Sequence, residues 1–141
     1  MATQDAVKFL KKTPLFAQFS EKELEALFST AKVREFEPGS TIVREGDPAG
    51  IGFYLILEGQ VEVRKGPKTL AQLGPGDYFG EMALLSDAPR SADVVAVQKT
   101  KCLMITRWEL RSIISSYPDV ALKMMGELAR RLRATNQALT E

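Results

Sequence analysis

Apolar and polar positions follow three successive patterns along the chain. Near the N-terminus the spacing is helical. Ser20 and Glu23 form a capping-box pair, Phe19 and Leu24 a hydrophobic staple, and Leu24, Leu27 and Phe28 an i, i+3, i+4 stripe, which predicts a helix over 21–30. A shorter helix is expected from Gln4 to Lys12. From about Ala31 to Ile105 the spacing changes to short runs, VREFE, TIVRE, FYLILE, QVEVRK, TLAQL, SADVVAVQ and KCLMIT. Turn residues bound these runs: Pro38-Gly39, Gly46-Asp47-Pro48, Gly59 and Gly66-Pro67. Val61 and Val63 alternate with Glu62 and Arg64, the period of a strand with one wet face. Seven or eight short strands within about 75 residues imply an antiparallel sandwich or barrel, because a parallel sheet needs helices between its strands.

The third pattern is helical again. Thr106 with Glu109 repeats the capping box and Ile105 with Leu110 the staple, so a helix is expected from Arg107 to about Ser115. Pro118 suits a first helical position, and the run from there to about Leu139 holds one glycine, Gly126. Ala121, Met125, Leu128, Leu132, Thr135 and Leu139 are spaced four, three, four, three, four, a heptad seam. Packing against the chain's own barrel and pairing with a second copy both fit that seam.

Composition narrows the chemistry. At 141 residues, with 45% apolar and 26% charged residues, the chain has the size and balance of one globular domain. It contains no histidine, which removes triads, dyads and His-ligated metal sites. Its single cysteine, Cys102, lies in the apolar run CLMI and reads as a small buried hydrophobe rather than a nucleophile. No apolar stretch approaches the ~20 residues of a membrane span, and MATQDAVKFLKK lacks the apolar core of a signal peptide. A soluble cytoplasmic protein without enzymatic activity is expected.

One segment, FGEMALLSDAPRSA at 79–92, interrupts the strands. Gly80 opens a possible helical turn, EMALL, whose free N–H groups and partial positive charge suit an anion. Arg90 follows beside Pro89, with a donor fork matched to phosphate, and Ser91 adds a hydroxyl. Glu81 would repel a phosphate, so its partner should be another part of the same ligand, such as a sugar hydroxyl. One arginine, one helix end and one carboxylate suit a singly charged ligand with a ribose. A nucleoside triphosphate would call for a G-x-x-x-x-G-K-[ST] loop, which the chain lacks.

This segment resembles the phosphate-binding cassette of cyclic-nucleotide-binding domains, and the resemblance extends over nearly the whole chain. It implies a mainly β fold: an antiparallel β jelly roll (double-stranded β-helix) over 31–105 with the cassette at 79–92, N-terminal helices in 1–30, and two C-terminal helices in 106–141. It further implies that Glu81, helped by the Gly80 backbone, binds the ribose 2′-hydroxyl, and that Arg90 and Ser91 bind the cyclic phosphate. The N–H groups of Ala83 and Leu84 would face the same phosphate, with Met82 and Ala92 completing the cassette contacts. PDVALKMMGELARRLRATNQ is most similar to the dimerising helix of bacterial cAMP receptor proteins, which implies that Thr135 reads the purine amino group, followed by the polar Asn136. With no aromatic on that helix, Arg131, Arg133 or Thr135 is left to cap the base.

The reading is a cyclic-nucleotide sensor that performs no chemistry and shifts its last helix on binding. Thr135 favours cAMP, while Ser91 could serve cGMP. No metal and no cofactor other than this ligand is implied, and the effector domain or protein lies outside the chain. A homodimer through the last helix and a fragment of a transcription regulator both fit. Less specific readings stand beside these. Arg90 could pair with Glu81 or Asp87 in an ordinary ion pair, and Trp108 is expected to pack rather than to support a base. The Arg130, Arg131, Arg133 cluster, diluted by Glu127, favours a solvated or ligand-facing role over direct DNA binding. A jelly-roll interaction module that has lost nucleotide binding stays open, with the acidic Asp93 in its favour. A cupin-type enzyme is disfavoured by the missing histidines.

Overall fold

The structure, a computed structural model, describes residues 3–46, 52–80 and 92–140. α1 (Thr3–Lys12), a 3-10 turn (Pro14–Phe16) and α2 (Glu21–Thr30) precede eight strands among the described residues. The strands are β1 (Lys32–Phe36), β2 (Thr41–Val43), β3 (Gly52–Glu58), β4 (Val61–Lys65), β5 (Lys68–Leu73), β6 (Tyr78–Phe79), β7 (Asp93–Ala96) and β8 (Thr100–Thr106). α3 (Arg107–Ser116) and α4 (Asp119–Thr140) follow. Both expected capping boxes form. Glu23 N–H donates to Ser20 Oγ at 3.2 Å while Ser20 N–H donates to Glu23 Oε1 at 2.7 Å, and Thr106 and Glu109 repeat the exchange. Pro118 lies just ahead of α4 rather than inside its first turn, and its carbonyl accepts the Ala121 N–H.

Two antiparallel four-stranded sheets, ordered β1-β8-β3-β6 and β2-β7-β4-β5, make the jelly roll. The first sheet is the middle layer of three. Along β3 every residue from Gly52 to Leu57 is buried, because alternate side chains serve different cores. Phe53, Leu55 and Leu57, with Leu103 and Ile105 of β8, pack against Leu10, Phe16, Leu24, Leu27, Leu110 and Val120 of the helical layer. Tyr54 and Ile56, with Cys102 and Met104, face the space between the sheets and meet Val61 and Val94. The unbroken apolar run FYLILE is thus a strand covered on both faces. The second sheet is wet outside, where Glu62 accepts from Arg64 and Gln72.

α4 turns Val120, Met124 and Leu128 inward onto the helical core. The seam counted from Ala121 therefore divides: Leu128 packs inward while Met125 and Leu132 stay in solvent. The outward stripe is Leu122, Met125, Ala129 and Leu132, continued by Asn136. Trp108, expected to pack, is instead 58% exposed on the outer face of α3, because Leu110 and Ile113 occupy the inward face.

An ion pair between a buried carboxylate and a half-buried lysine ties α2 to α4. Lys123 Nζ of α4 donates to Glu23 Oε1 of α2 at 2.7 Å, and the carboxylate already serves the capping box. Burial pushes the Glu23 carboxyl up. The Lys123 hydrogen bond and charge and the Ser20 contacts outweigh burial and leave it below its ordinary value. A lowered folded pKa stabilises the fold above the unfolded value of ~4.3, and that stabilisation is lost as pH falls through the folded pKa. Lys123→Met leaves burial unopposed by the ammonium. It is expected to cost about 1–2 kcal/mol at pH 7, and the gap to the parent should narrow toward pH 4. Urea unfolding at both pH values measures this, and an equal gap at both would contradict it.

Candidate functional site

The strands on either side of residues 81–91 belong to different sheets. β6 pairs with β3 at the edge of the first sheet, with Tyr54 opposite Phe79 and Leu55 opposite Tyr78. β7 lies inside the second sheet, between β2 and β4. Both exits are firmly held. A turn over Gly74–Asp77 precedes β6, with Asp77 N–H donating to Gly74 O and Gly74 N–H to Asp77 Oδ2, each at 2.9 Å. Ile56 locks that turn to β3 by donating to Asp77 O and accepting from Gly76 N–H, also at 2.9 Å. Phe79 stacks on Tyr54 with ring centroids 5.1 Å apart and planes at 14°, and Tyr78 packs against Phe53 on the opposite face. These two rings fix the direction in which the chain reaches Gly80.

Gly80 has φ +83°, a left-handed conformation that side-chain-bearing residues rarely adopt. The first residue of the expected anion seat is thus one where glycine is required by the backbone. On the far side, Ala92 is half-buried in a bend before β7. Next to it, Asp93 Oδ1 accepts the Glu45 N–H at 2.7 Å. The acid that would favour a module without nucleotide binding is engaged in holding the end of β2 against β7.

Of the other expected ligand contacts, Glu81, Met82, Ala83, Leu84, Arg90 and Ser91 lie outside the described residues, as does the expected EMALL turn. The Arg131 side chain does too. Thr135 and Asn136 are exposed on the distal part of α4, where Asn136 lines a shallow depression with Ala129, Leu132, Arg133 and Gln137. In the basic cluster, Arg130 donates two hydrogen bonds to Glu127 at 2.7 and 3.0 Å and holds that carboxyl below its ordinary value. Cys102 is fully buried between the sheets, and burial pushes its thiol up to about 12, so it stays protonated and unreactive. The Gly74–Asp77 turn and the Tyr54–Phe79 stack were not anticipated as site-positioning features. The string GPGD was the available signal for the turn.

Comparison with known proteins places these features in a family. Residues 33–117 match the family model described as cyclic nucleotide-binding domain, a span that encloses the whole 79–92 segment. The cyclic AMP receptor protein of Thermus thermophilus is 36% identical over 135 residues, covering 92% of this chain but only 62% of the receptor's length. The N-terminal domain of a transcriptional regulator from Streptomyces coelicolor superimposes with a TM-score of 0.86 at 32% identity, covering 93% of this chain and 94% of that domain. The regulatory domain of Toxoplasma gondii PKA, solved with cAMP, gives a TM-score of 0.74 at 30% identity over 79% of this chain and 44% of its own. The two-sheet fold, the left-handed Gly80 after β6 and these matches agree: the chain belongs to the cyclic nucleotide-binding domain family.

Proposed function

We propose that the chain is a non-catalytic cytoplasmic sensor that binds cAMP in preference to cGMP and repositions its C-terminal helix in response. The observation that carries this reading is the family match across 33–117, which includes every residue assigned to the cassette, together with the left-handed Gly80 at its entrance. In this reading Arg90 and Ser91 hold the cyclic phosphate with the N–H groups of Ala83 and Leu84, and Glu81 with Gly80 holds the ribose 2′-hydroxyl. Met82 and Ala92 line the same pocket. Arg131, Thr135 and Asn136 meet the base from α4. A singly charged phosphodiester needs one arginine fork and one helix end, and a histidine-free chain can supply both.

Two copies pair along the outward stripe of α4. Leu122, Met125 and Leu132 are each more than 60% exposed, and Ala129 lies between them on the same face. The output passes to an effector domain or protein, in keeping with relatives longer than this chain.

Titration calorimetry with cAMP, cGMP and a cyclic dinucleotide tests the sensing reading. Saturable binding of cAMP below ~100 μM, tighter than the other two, is expected, and absence of binding by all three would overturn it. Equilibrium sedimentation tests the pairing: a dimer is expected, reduced to a monomer by Leu132→Glu, and a monomeric parent removes it.

A further inference from the structure

We infer that Asp93 is a positioning residue for the proposed nucleotide site: it holds no ligand itself, and its carboxylate fixes where the chain enters β7 after the 81–91 segment. The inference deepens the sensing reading and rests on it. β7 is held differently at its two ends. At the far end Gly39 N–H donates to Ala96 O at 2.7 Å and Ala96 N–H to Ser40 O at 2.9 Å, so backbone bonds close that end against the turn before β2. At the near end the pairing with β2 shifts register between Thr41 and Val43 and reaches only Val94. Asp93, the next residue toward the half-buried Ala92, has no partner on β2 in that register. Its Oδ1 accepts the Glu45 N–H at 2.7 Å instead, which carries the attachment two residues past the end of β2.

The bond is directed at a backbone donor and not at a cation. Arg64 lies opposite Asp93 on β4, but its Nε and Nη2 both donate to Glu62. What the attachment requires at position 93 is therefore an acceptor oxygen, which asparagine supplies as well as aspartate and alanine does not. Arg90 and Ser91, the proposed phosphate contacts, precede Asp93 by three and two residues, so a displaced start of β7 displaces both. Binding groups lose affinity when the residues that support them are loosened, even where the groups themselves are intact. An acid this near a phosphate contact would by itself oppose the ligand; accepting from Glu45 commits that oxygen to β2.

Calorimetry with cAMP on the intact chain tests this with two substitutions that a repelling acid and a positioning acid order differently. Asp93→Ala should bind about fivefold more weakly than the parent, and Asp93→Asn within about twofold of it. Tighter binding by both would mean that the acid only repels the phosphate, and equal weakening by both that the charge matters and the bond does not; either result overturns the inference. Gly39→Ala loosens the far end of the same strand pair and should leave the affinity unchanged. A loss there matching that of Asp93→Ala would make the effect one of general stability and overturn the inference too. A ligand-free measurement separates the inference from the sensing reading. In amide hydrogen exchange followed by NMR, Glu45 and Val94 should exchange about fivefold faster in Asp93→Ala than in the parent, and at the parent rate in Asp93→Asn. If the parent binds no cyclic nucleotide, the sensing reading falls, and exchange still decides whether Asp93 fixes the start of β7: unchanged rates at both amides would overturn it.

Discussion

Arg90→Ala is expected to weaken cAMP binding at least ~100-fold, with the unliganded melting temperature changed by no more than a degree or two. In the proposed reading the guanidinium is the one cationic side chain that the 79–92 segment offers the cyclic phosphate. Its removal leaves a desolvated phosphate charge without its charge-assisted hydrogen bonds, an effect of 2–5 kcal/mol where such partners are truncated. At 1.4 kcal/mol per tenfold, 100-fold lies near the lower end of that range. Arg90→Lys separates charge from geometry. It keeps the positive charge but loses the planar fork, and should recover only part of the affinity, to within about tenfold of the parent. Calorimetry with both variants decides the matter. Parent-like binding by Arg90→Ala would show that the phosphate is not held there, and an ordinary ion pair between Arg90 and Glu81 or Asp87 would then be the better account.

The second large effect is on the fold. Gly59→Ala is expected to destabilise the protein by about 3–5 kcal/mol, lowering the melting temperature by roughly 10 °C or more. Gly59 joins β3 of the first sheet to β4 of the second and has φ +97°. A Cβ there would lie 2.5 Å from the Lys99 carbonyl oxygen and 2.7 Å from Thr100 Cα, backbone atoms that cannot swing aside. Thr100 is fully buried, and its hydroxyl donates toward the Gln60 and Gln98 carbonyls, so the corner cannot relax without moving the start of β8. Gly39→Ala is the internal control. Its φ of +88° is similar, but nothing lies within 4 Å of its Cβ, so only the backbone strain remains and about 1 kcal/mol is expected. Thermal unfolding of the two variants side by side measures the difference. Similar losses would mean that the clash at Gly59 is relieved at little cost. Because β4 pairs with β7, which receives the chain after the cassette, a displaced corner should also weaken ligand binding.

How much of this could be read from the chain depended on how far apart the interacting groups lie. The two capping boxes join residues three positions apart, so Ser20 with Glu23 and Thr106 with Glu109 were legible and formed as expected. Strand runs bounded by Pro38-Gly39 and Gly66-Pro67 were legible for the same reason, since turn chemistry acts within four residues. β6 was missed because two residues are too few to show a period, and it exists only where Tyr54 and Leu55 offer it an edge. The family was legible because the resemblance is carried by a single contiguous segment, 79–92, inside the matched span. The Gly74–Asp77 turn that orients its entrance was visible as letters, but its attachment to Ile56 was not.

Sequence by itself determined the class of elements, their order and the caps, because each depends on neighbouring residues or on which residue types are present. It left the faces of α4 undecided. Val120, Met124 and Leu128 compete with Leu122, Met125 and Leu132 for the inward position, and both sets have helical spacing. Only the tertiary structure chose between them, since burial is set by what the rest of the chain places opposite each face. The same holds for Trp108, left in solvent once Leu110 and Ile113 had filled the inward face, and for Asp93, whose partner is 48 residues away. It holds most clearly for Glu23 and Lys123. Nothing local marks residues 100 positions apart as partners, and their pairing exists because the fold closes its two helical ends over one core.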